Sequence, residues 1–232
     1  MRTLIIYIMH IKSAIFDLSA PDLELCPPES LPEFAFIGRS NVGKSSLLNM
    51  LSGKKDLARV SITPGFTKLI NFFTINNEWY LVDLPGYGFA KVARENSAKF
   101  NDAVTNYIAH RPSLACVFVL IDARHEPQGI DLEFVKWLGD RSTRFVLVFT
   151  KTDKTKPAQL QENVELFRVQ MSLWWEEVPE IFTTSAVSGQ GRNELLGYVE
   201  RTLAKGWEES ELELEQEPDQ SADQVQEEPE EE

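Results

Sequence analysis

Cysteine is scarce in this 232-residue chain, with only Cys26 and Cys116 present, too few and too far apart for a disulfide framework or a thiolate metal cluster. A reducing, cytoplasmic setting is expected. Long apolar runs are also missing. The run from Leu4 to Ile8 falls far short of the roughly 18 residues that a membrane span needs, and His10 and Lys12 close it before a signal-peptide pattern with a small-residue cleavage site can develop. Met9 offers a second start. Basic residues are lacking at the C-terminal end, where no Lys or Arg follows Lys205 while positions 208–232 hold 13 of the 36 acids. The other 23 acids match the 23 bases, so the net charge of −13 belongs to this segment and the body is neutral. A strongly basic footprint for nucleic acid is absent.

What is present suffices for one sizeable core, since 43% of the residues are hydrophobic. We divide the chain into an N-terminal extension (1–10), a globular body (11–205) and an acidic tail (206–232). The tail's composition cannot offset the entropy of ordering and reads as disordered. The body alternates strands and helices. FAFI (34–37) is followed by a Gly-bounded loop and a helix over Lys44–Leu51. INFFTI (70–75) and EWYLVDL (78–84) read as an antiparallel pair around the turn-forming Asn76-Asn77. A helix over 96–110, a strand over 115–123, a helix over 131–138, a strand over 144–150, a helix over 157–175, a strand over 180–186 and a helix over 193–205 follow. Continuous apolar strands alternating with helices indicate an α/β three-layer fold: a mostly parallel sheet with one antiparallel edge strand and helices on both faces. Ligands are expected at the C-terminal edge of its strands.

Four anchors carry chemistry. Gly38-Arg39-Ser40-Asn41-Val42-Gly43-Lys44-Ser45 matches the phosphate-loop pattern at every fixed position and lies between a strand and a helix. Its glycines let backbone N–H groups turn toward phosphates. Lys44 is expected to reach the β and γ phosphates, and Ser45 to hold Mg²⁺. Asp83-Leu84-Pro85-Gly86 ends a strand, bringing a carboxylate near the Mg²⁺ shell and a glycine N–H near the γ-phosphate. Thr150-Lys151-Thr152-Asp153 selects the base, because an Asp carboxylate accepts from both N1–H and N2–H₂ of guanine, whereas adenine offers no such pair. Lys151 is expected to lay its stem along the purine. Thr150, where many GTPases carry Asn, weakens a bond to the base edge. Thr184-Ser185-Ala186 ends the last strand, where small residues and backbone N–H groups can approach guanine O6.

Between the first two anchors, the Pro/Gly-rich segment 61–67 reads as a switch that orders around Mg²⁺ and the γ-phosphate. Thr67 is the expected Mg²⁺ ligand, with Thr63 the alternative. Together the anchors imply a GTP/GDP-binding, Mg²⁺-dependent GTPase with Lys44 and Asn41 as catalytic candidates.

GRSNVGKSS, TPGFTKLINFF, DLPGYGFAKV and TKTDK resemble the signatures of the EngB family (also called YsxC or YihA) of bacterial translation-factor-class GTPases over about residues 11–205. The resemblance assigns Gly38–Ser45 to the phosphates, Ser45 and Thr67 to Mg²⁺, and Gly65, Phe66, Thr67, Lys68 and Leu69 to the switch. Asp83–Gly86, Thr150–Asp153 and Thr184–Ala186 complete its nucleotide site. It implies a role in large-ribosomal-subunit assembly and in normal cell division and septation.

Tyr87 stands where Ras-like GTPases place a water-orienting Gln, so intrinsic hydrolysis is expected to be slow. Asn41 resembles the Asn with which potassium-activated GTPases hold a monovalent cation beside the phosphates; a purely loop-stabilising role is the alternative. Lys54, Lys55, Arg59, Lys68, Lys91, Arg94 and Lys99 flank the switches, where they could meet ribosomal RNA or simply be solvated. Trp174-Trp175 and Phe72-Phe73 read as core. A monomer is expected. A P-loop kinase would gain nothing from a guanine-reading loop, whereas a nucleotide-gated division scaffold would use the same site and is the rival reading.

Overall fold

The computed structural model describes residues 9–58, 69–87 and 102–216, with side chains as far as Lys205. Seven strands form one sheet: β1 (Ala14–Ala20), β2 (Glu33–Gly38), β3 (Ile70–Ile75), β4 (Trp79–Asp83), β5 (Leu114–Asp122), β6 (Phe145–Thr150) and β7 (Ile181–Thr183). Their order is β1-β3-β4-β2-β5-β6-β7. The five strands from β4 to β7 are parallel, and β3 runs against both of its neighbours. The helices among the described residues are α1 (Lys44–Ser52), α2 (Asp102–His110), α3 (Gly129–Gly139), α4 (Pro157–Ser172) and α5 (Arg192–Gln216). None is long and apolar enough to cross a membrane.

The continuous apolar strands bury both faces because successive side chains point to opposite sides. Phe34, Phe36, Phe118 and Leu120 meet Leu47, Leu48 and Leu51 of α1 and Leu195, Leu196 and Val199 of α5. Ala35, Ile37, Val117 and Val119 face the other way, toward Tyr107 of α2, Phe134 and Leu138 of α3, and Phe167 and Met171 of α4. Each large side chain so buried contributes about 1.5–3 kcal/mol. Phe72 and Phe73 are buried in the two different cores, while Trp174 and Trp175 pack partly buried against the second.

The hairpin forms where expected, with Asn76 and Asn77 both in the left-handed region (φ 54° and 59°). Asn76 also clamps the segment leading into β1: its Oδ1 accepts from the N–H of Lys12 and Ser13, and its Nδ2 donates to the His10 carbonyl.

Several elements depart from the sequence reading, among them β7, which ends at Thr183 rather than at 186. β1 was not foreseen, and by pairing outside β3 it takes the edge expected for the antiparallel strand. α4 stops at Ser172 rather than Trp175, and the two tryptophans turn back toward the core. α5 continues past Lys205 to Gln216. Its added stretch passes through Gly206, but the residues beyond are rich in Glu and Leu, good helix formers, and no proline comes before Pro218. The rest of the acidic tail and the start of the expected 96–110 helix lie outside the described residues.

Candidate nucleotide site

The five parallel strands all end at one edge of the sheet, and the four anchors follow four of those ends. The loop after β2 leads directly into α1, whose first residue is Lys44. Gly43 caps the helix at φ 108°, a conformation that L side chains rarely adopt, so it is the backbone that calls for glycine; Lys151 Cε lies at ordinary van der Waals distance, 3.5 Å, from where a Cβ would stand. Asn41 is left-handed too (φ 64°). The Val42 side chain belongs to the core, and Arg39 and Ser40 are half-buried.

The Lys44 ammonium makes a close ion pair with Asp83 at the end of β4, both side chains nearly buried. Beyond Asp83, Leu84 continues the pairing with β2 by donating its N–H to the Phe36 carbonyl at 3.1 Å, while its side chain enters the core. Pro85 is buried. Gly86 lies against the phosphate loop, where a Cβ would stand 2.7 Å from the Gly38 carbonyl oxygen. The second anchor is thus packed on the first.

Tyr87 bridges Arg39 through the backbone. Its ring is buried and stacks on Phe134 at 4.5 Å, and its hydroxyl donates to Asp131 at 2.9 Å. Arg39 Nε donates to the other oxygen of Asp131 at 3.1 Å. Burial pushes the Asp131 carboxyl above its ordinary range against the opposing pull of Arg39 and Tyr87.

Thr150 is buried, and its hydroxyl lies 2.6 Å from the Val42 carbonyl and 3.2 Å from that of Ile121. It ties the strand end to the phosphate loop. Lys151 Nζ donates to the Asn41 carbonyl and, at 2.8 Å, to Asp122. Thr152 is buried against the Thr184 carbonyl, which receives both its N–H (3.2 Å) and its hydroxyl (3.1 Å). Asp153 is exposed and accepts from the Ser185 hydroxyl at 2.7 Å. Thr184 donates to the Phe149 carbonyl at 3.1 Å, and half-buried Ala186 follows Ser185. Of the switch residues, Leu69 is exposed just before β3, while Thr63, Gly65, Phe66, Thr67 and Lys68 lie outside the described residues.

Asp122, Arg124 and Asp131 were not foreseen. Each is an ordinary charged residue in sequence, and only the ends of β5 and α3 bring them beside the anchors. Among the flanking bases, Lys54 donates to the Ala14 carbonyl of β1 and Lys55 is exposed. Arg59, Lys91, Arg94 and Lys99 fall outside the described residues, as does Lys68.

Ser45, the second residue of α1, and Asp83 supply a hydroxyl and a carboxylate, the hard oxygen donors that suit Mg²⁺. A phosphate loop entering a helix, an Asp-x-x-Gly segment packed on it and a Thr-Lys-x-Asp loop after β6 together define a P-loop GTPase. A family model described as a 50S ribosome-binding GTPase matches residues 33–151. The chain is 52% identical over 192 residues to the probable GTP-binding protein EngB of Christiangramia forsetii, covering 83% of this chain and 97% of that one. It is 51% identical, at 83% and 96% coverage, to the counterpart in Porphyromonas gingivalis. The crystal structure of a probable GTP-binding protein EngB superposes with a TM-score of 0.59 at 25% identity, covering 75% of this chain and 99% of that one. Era in complex with MgGDPNP and a segment of 16S ribosomal RNA gives a TM-score of 0.55 at 25% identity, covering 73% and 55%. The chain belongs to the EngB family of GTP-binding proteins.

Proposed function

We propose that this GTPase is a slow guanine-nucleotide switch of the cytoplasm that acts, as a monomer, in assembly of the large ribosomal subunit. The observation that carries the guanine assignment is the exposed Asp153 carboxylate, held by Ser185 in the loop whose Thr150 and Lys151 bond the Val42 and Asn41 carbonyls of the phosphate loop. The ribosomal assignment draws support from the description of the matching family model. A part in cell division and septation follows from the resemblance to EngB and belongs to the same proposal. Residues 11–205 form the nucleotide-binding unit, with 1–10 and 206–232 as appendages.

In this reading the N–H groups of Gly38–Ser45 cradle the phosphates at the N-terminus of α1, and the Lys44 ammonium exchanges Asp83 for the β and γ phosphate oxygens. Ser45, with Thr67 or Thr63, would hold Mg²⁺, which would supply charge neutralisation for the phosphates. Gly65–Leu69 and Asp83–Gly86 sense the γ-phosphate. Asp153 reads guanine N1–H and N2–H₂, Lys151 flanks the ring, and Thr184–Ala186 border O6. Slow hydrolysis is supported by Tyr87, which stands where a Gln amide would orient water and whose hydroxyl proton is given to Asp131. Asn41 would hold K⁺, which would supply an additional positive charge.

Calorimetry with Mg²⁺ and GTP, GDP or ATP tests the site. Guanine nucleotides are expected to bind and ATP not to bind, with the preference lost in Asp153→Asn; equal binding of ATP would overturn the base assignment. Co-sedimentation with large ribosomal subunits, stronger with a non-hydrolysable GTP analogue than with GDP, tests the partner. Absence of such binding in either state would remove the ribosomal role.

A further inference from the structure

At the C-terminal end of β5, Asp122 is nearly buried beside the nucleotide site, yet no role assigned above uses it. Its Oδ2 accepts from Lys151 Nζ at 2.8 Å and from Arg124 Nη2 at 2.7 Å, and its Oδ1 accepts from Arg124 Nε at 2.9 Å and from the Arg124 N–H at 3.1 Å. Burial pushes the carboxyl upward, but the bonds from Arg124 and Lys151 prevail and hold it well below the usual carboxylate range. A fixed negative charge therefore faces the Lys151 ammonium at neutral pH.

Lys151 needs such a holder. Its backbone is left-handed (φ 60°, ψ 35°), a conformation suited to glycine or asparagine that costs a lysine about 1 kcal/mol or more and persists only where the surroundings over-determine it. The ammonium is fixed at two points, the Asp122 carboxylate and the Asn41 carbonyl. Between those points and the backbone, the stem crosses the phosphate loop at van der Waals distance, its Cε and Cγ 3.5 and 3.9 Å from a Cβ built at Gly43. Lys151 also caps the short 3₁₀ turn Thr152–Lys154 that carries Asp153. The position of its ammonium, the course of its stem and the direction of the turn are linked through one side chain.

We propose that Asp122 is a positioning residue for guanine: it anchors the Lys151 ammonium so that the stem lies as a preformed platform for the purine and the following turn presents Asp153. This rests on the reading of Lys151 and Asp153 as the base site. Preorganisation of this kind raises affinity by removing the ordering cost from the binding step. The competing explanation is that Asp122 serves only Arg124 and the loop after β5, with no consequence for the nucleotide.

The test is a double-mutant cycle read by the Kd for GDP, with thermal midpoints of the nucleotide-free proteins measured alongside. Asp122→Asn is expected to weaken GDP binding about tenfold, as loss of a charge-assisted hydrogen bond implies, and Lys151→Ala at least as much. The double variant should be no weaker than Lys151→Ala, because without the lysine Asp122 has nothing left to position. Losses that multiply in the double variant, or wild-type affinity in Asp122→Asn when Lys151→Ala has lost it, would overturn the proposal while leaving the base site intact. Unchanged affinity in Lys151→Ala would remove the base-site reading, and the proposal with it. If Asp122→Asn does not fold, Lys151→Met decides, since it keeps an aliphatic stem and removes the anchored charge. A loss comparable to that of Lys151→Ala supports anchoring, and wild-type affinity refutes it.

Discussion

The Ser185 hydroxyl donates to the Asp153 carboxylate at 2.7 Å, joining the loop after β7 to the loop after β6 across 32 positions of sequence. The bond uses one carboxylate oxygen and leaves an exposed side chain oriented toward solvent-accessible space. Ser185→Ala frees that carboxylate to rotate. GDP affinity is expected to fall about 3- to 10-fold, the worth of one hydrogen bond of this kind, as measured by calorimetry; an unchanged Kd would mean that Asp153 is oriented by other groups.

Thr150 gives a second prediction. Its buried hydroxyl reaches the Val42 carbonyl at 2.6 Å, so Thr150→Val keeps the shape and removes the tether between β6 and the phosphate loop. The variant should lose about 1–3 kcal/mol in urea denaturation, the cost of leaving a buried carbonyl with one partner fewer. Because the tether also shapes the loop, GDP should stabilise the variant less than it stabilises the wild type.

These two residues show how unevenly the site could be read from sequence. The phosphate loop and the Thr-Lys-x-Asp segment were legible because their spacing is local and their chemistry demands particular residues. The tie from the Thr150 hydroxyl to the Val42 carbonyl was not, since its partner lies 108 positions away and nothing local marks it. Asp122 and Asp131 escaped for the same reason. In the fold, strands buried on both faces announced themselves as unbroken apolar runs. β1 did not: it is an edge strand with Ile15 and Phe16 more than half exposed, and the register shift between Phe16 and Leu18 breaks the alternation that would have marked it.

Asn41 combines a left-handed backbone (φ 64°) with a carbonyl that accepts from Lys151, so its loop-stabilising role and its role toward K⁺ can be separated. Asn41→Gly tolerates the same φ and keeps the carbonyl while deleting the side-chain amide. If the amide holds K⁺, the variant should bind GDP nearly as wild type yet lose potassium stimulation of GTP hydrolysis, measured by phosphate release in K⁺ against Na⁺. Retained stimulation would restrict Asn41 to shaping the loop.

At the opposite end of β2, Arg111 and Glu33 form a buried ion pair, joined by the hydroxyls of Tyr107 and Ser113 on the carboxylate and by the Pro27 carbonyl on the guanidinium. Arg111→Ala would leave the fully buried Glu33 charge without its cation. A loss of about 3–5 kcal/mol is expected in chemical denaturation, whereas Arg201→Ala, which removes a surface pair with Glu180, should cost less than about 1 kcal/mol.

Asp131 makes stability depend on pH in a direction that can be worked out. Its folded carboxyl titrates above the ordinary range, chiefly because it is buried, with Arg39 and Tyr87 pulling the other way. Below the ordinary carboxylate pKa it is protonated in both the folded and unfolded states, and the two states bind equal numbers of protons. As pH rises, the unfolded chain releases its proton first, and the folded state loses stability until its own carboxyl ionises. Asp131→Asn cannot titrate, so wild type should lose stability relative to this variant between the two pKa values, with the difference constant on either side. Urea denaturation of both proteins from about pH 4 to pH 7 measures that difference in the range where a raised carboxyl titrates. A difference that is flat throughout would mean that the Arg39 ion pair fully offsets burial, leaving Asp131 charged across the range as a fixed link between the phosphate loop and Tyr87.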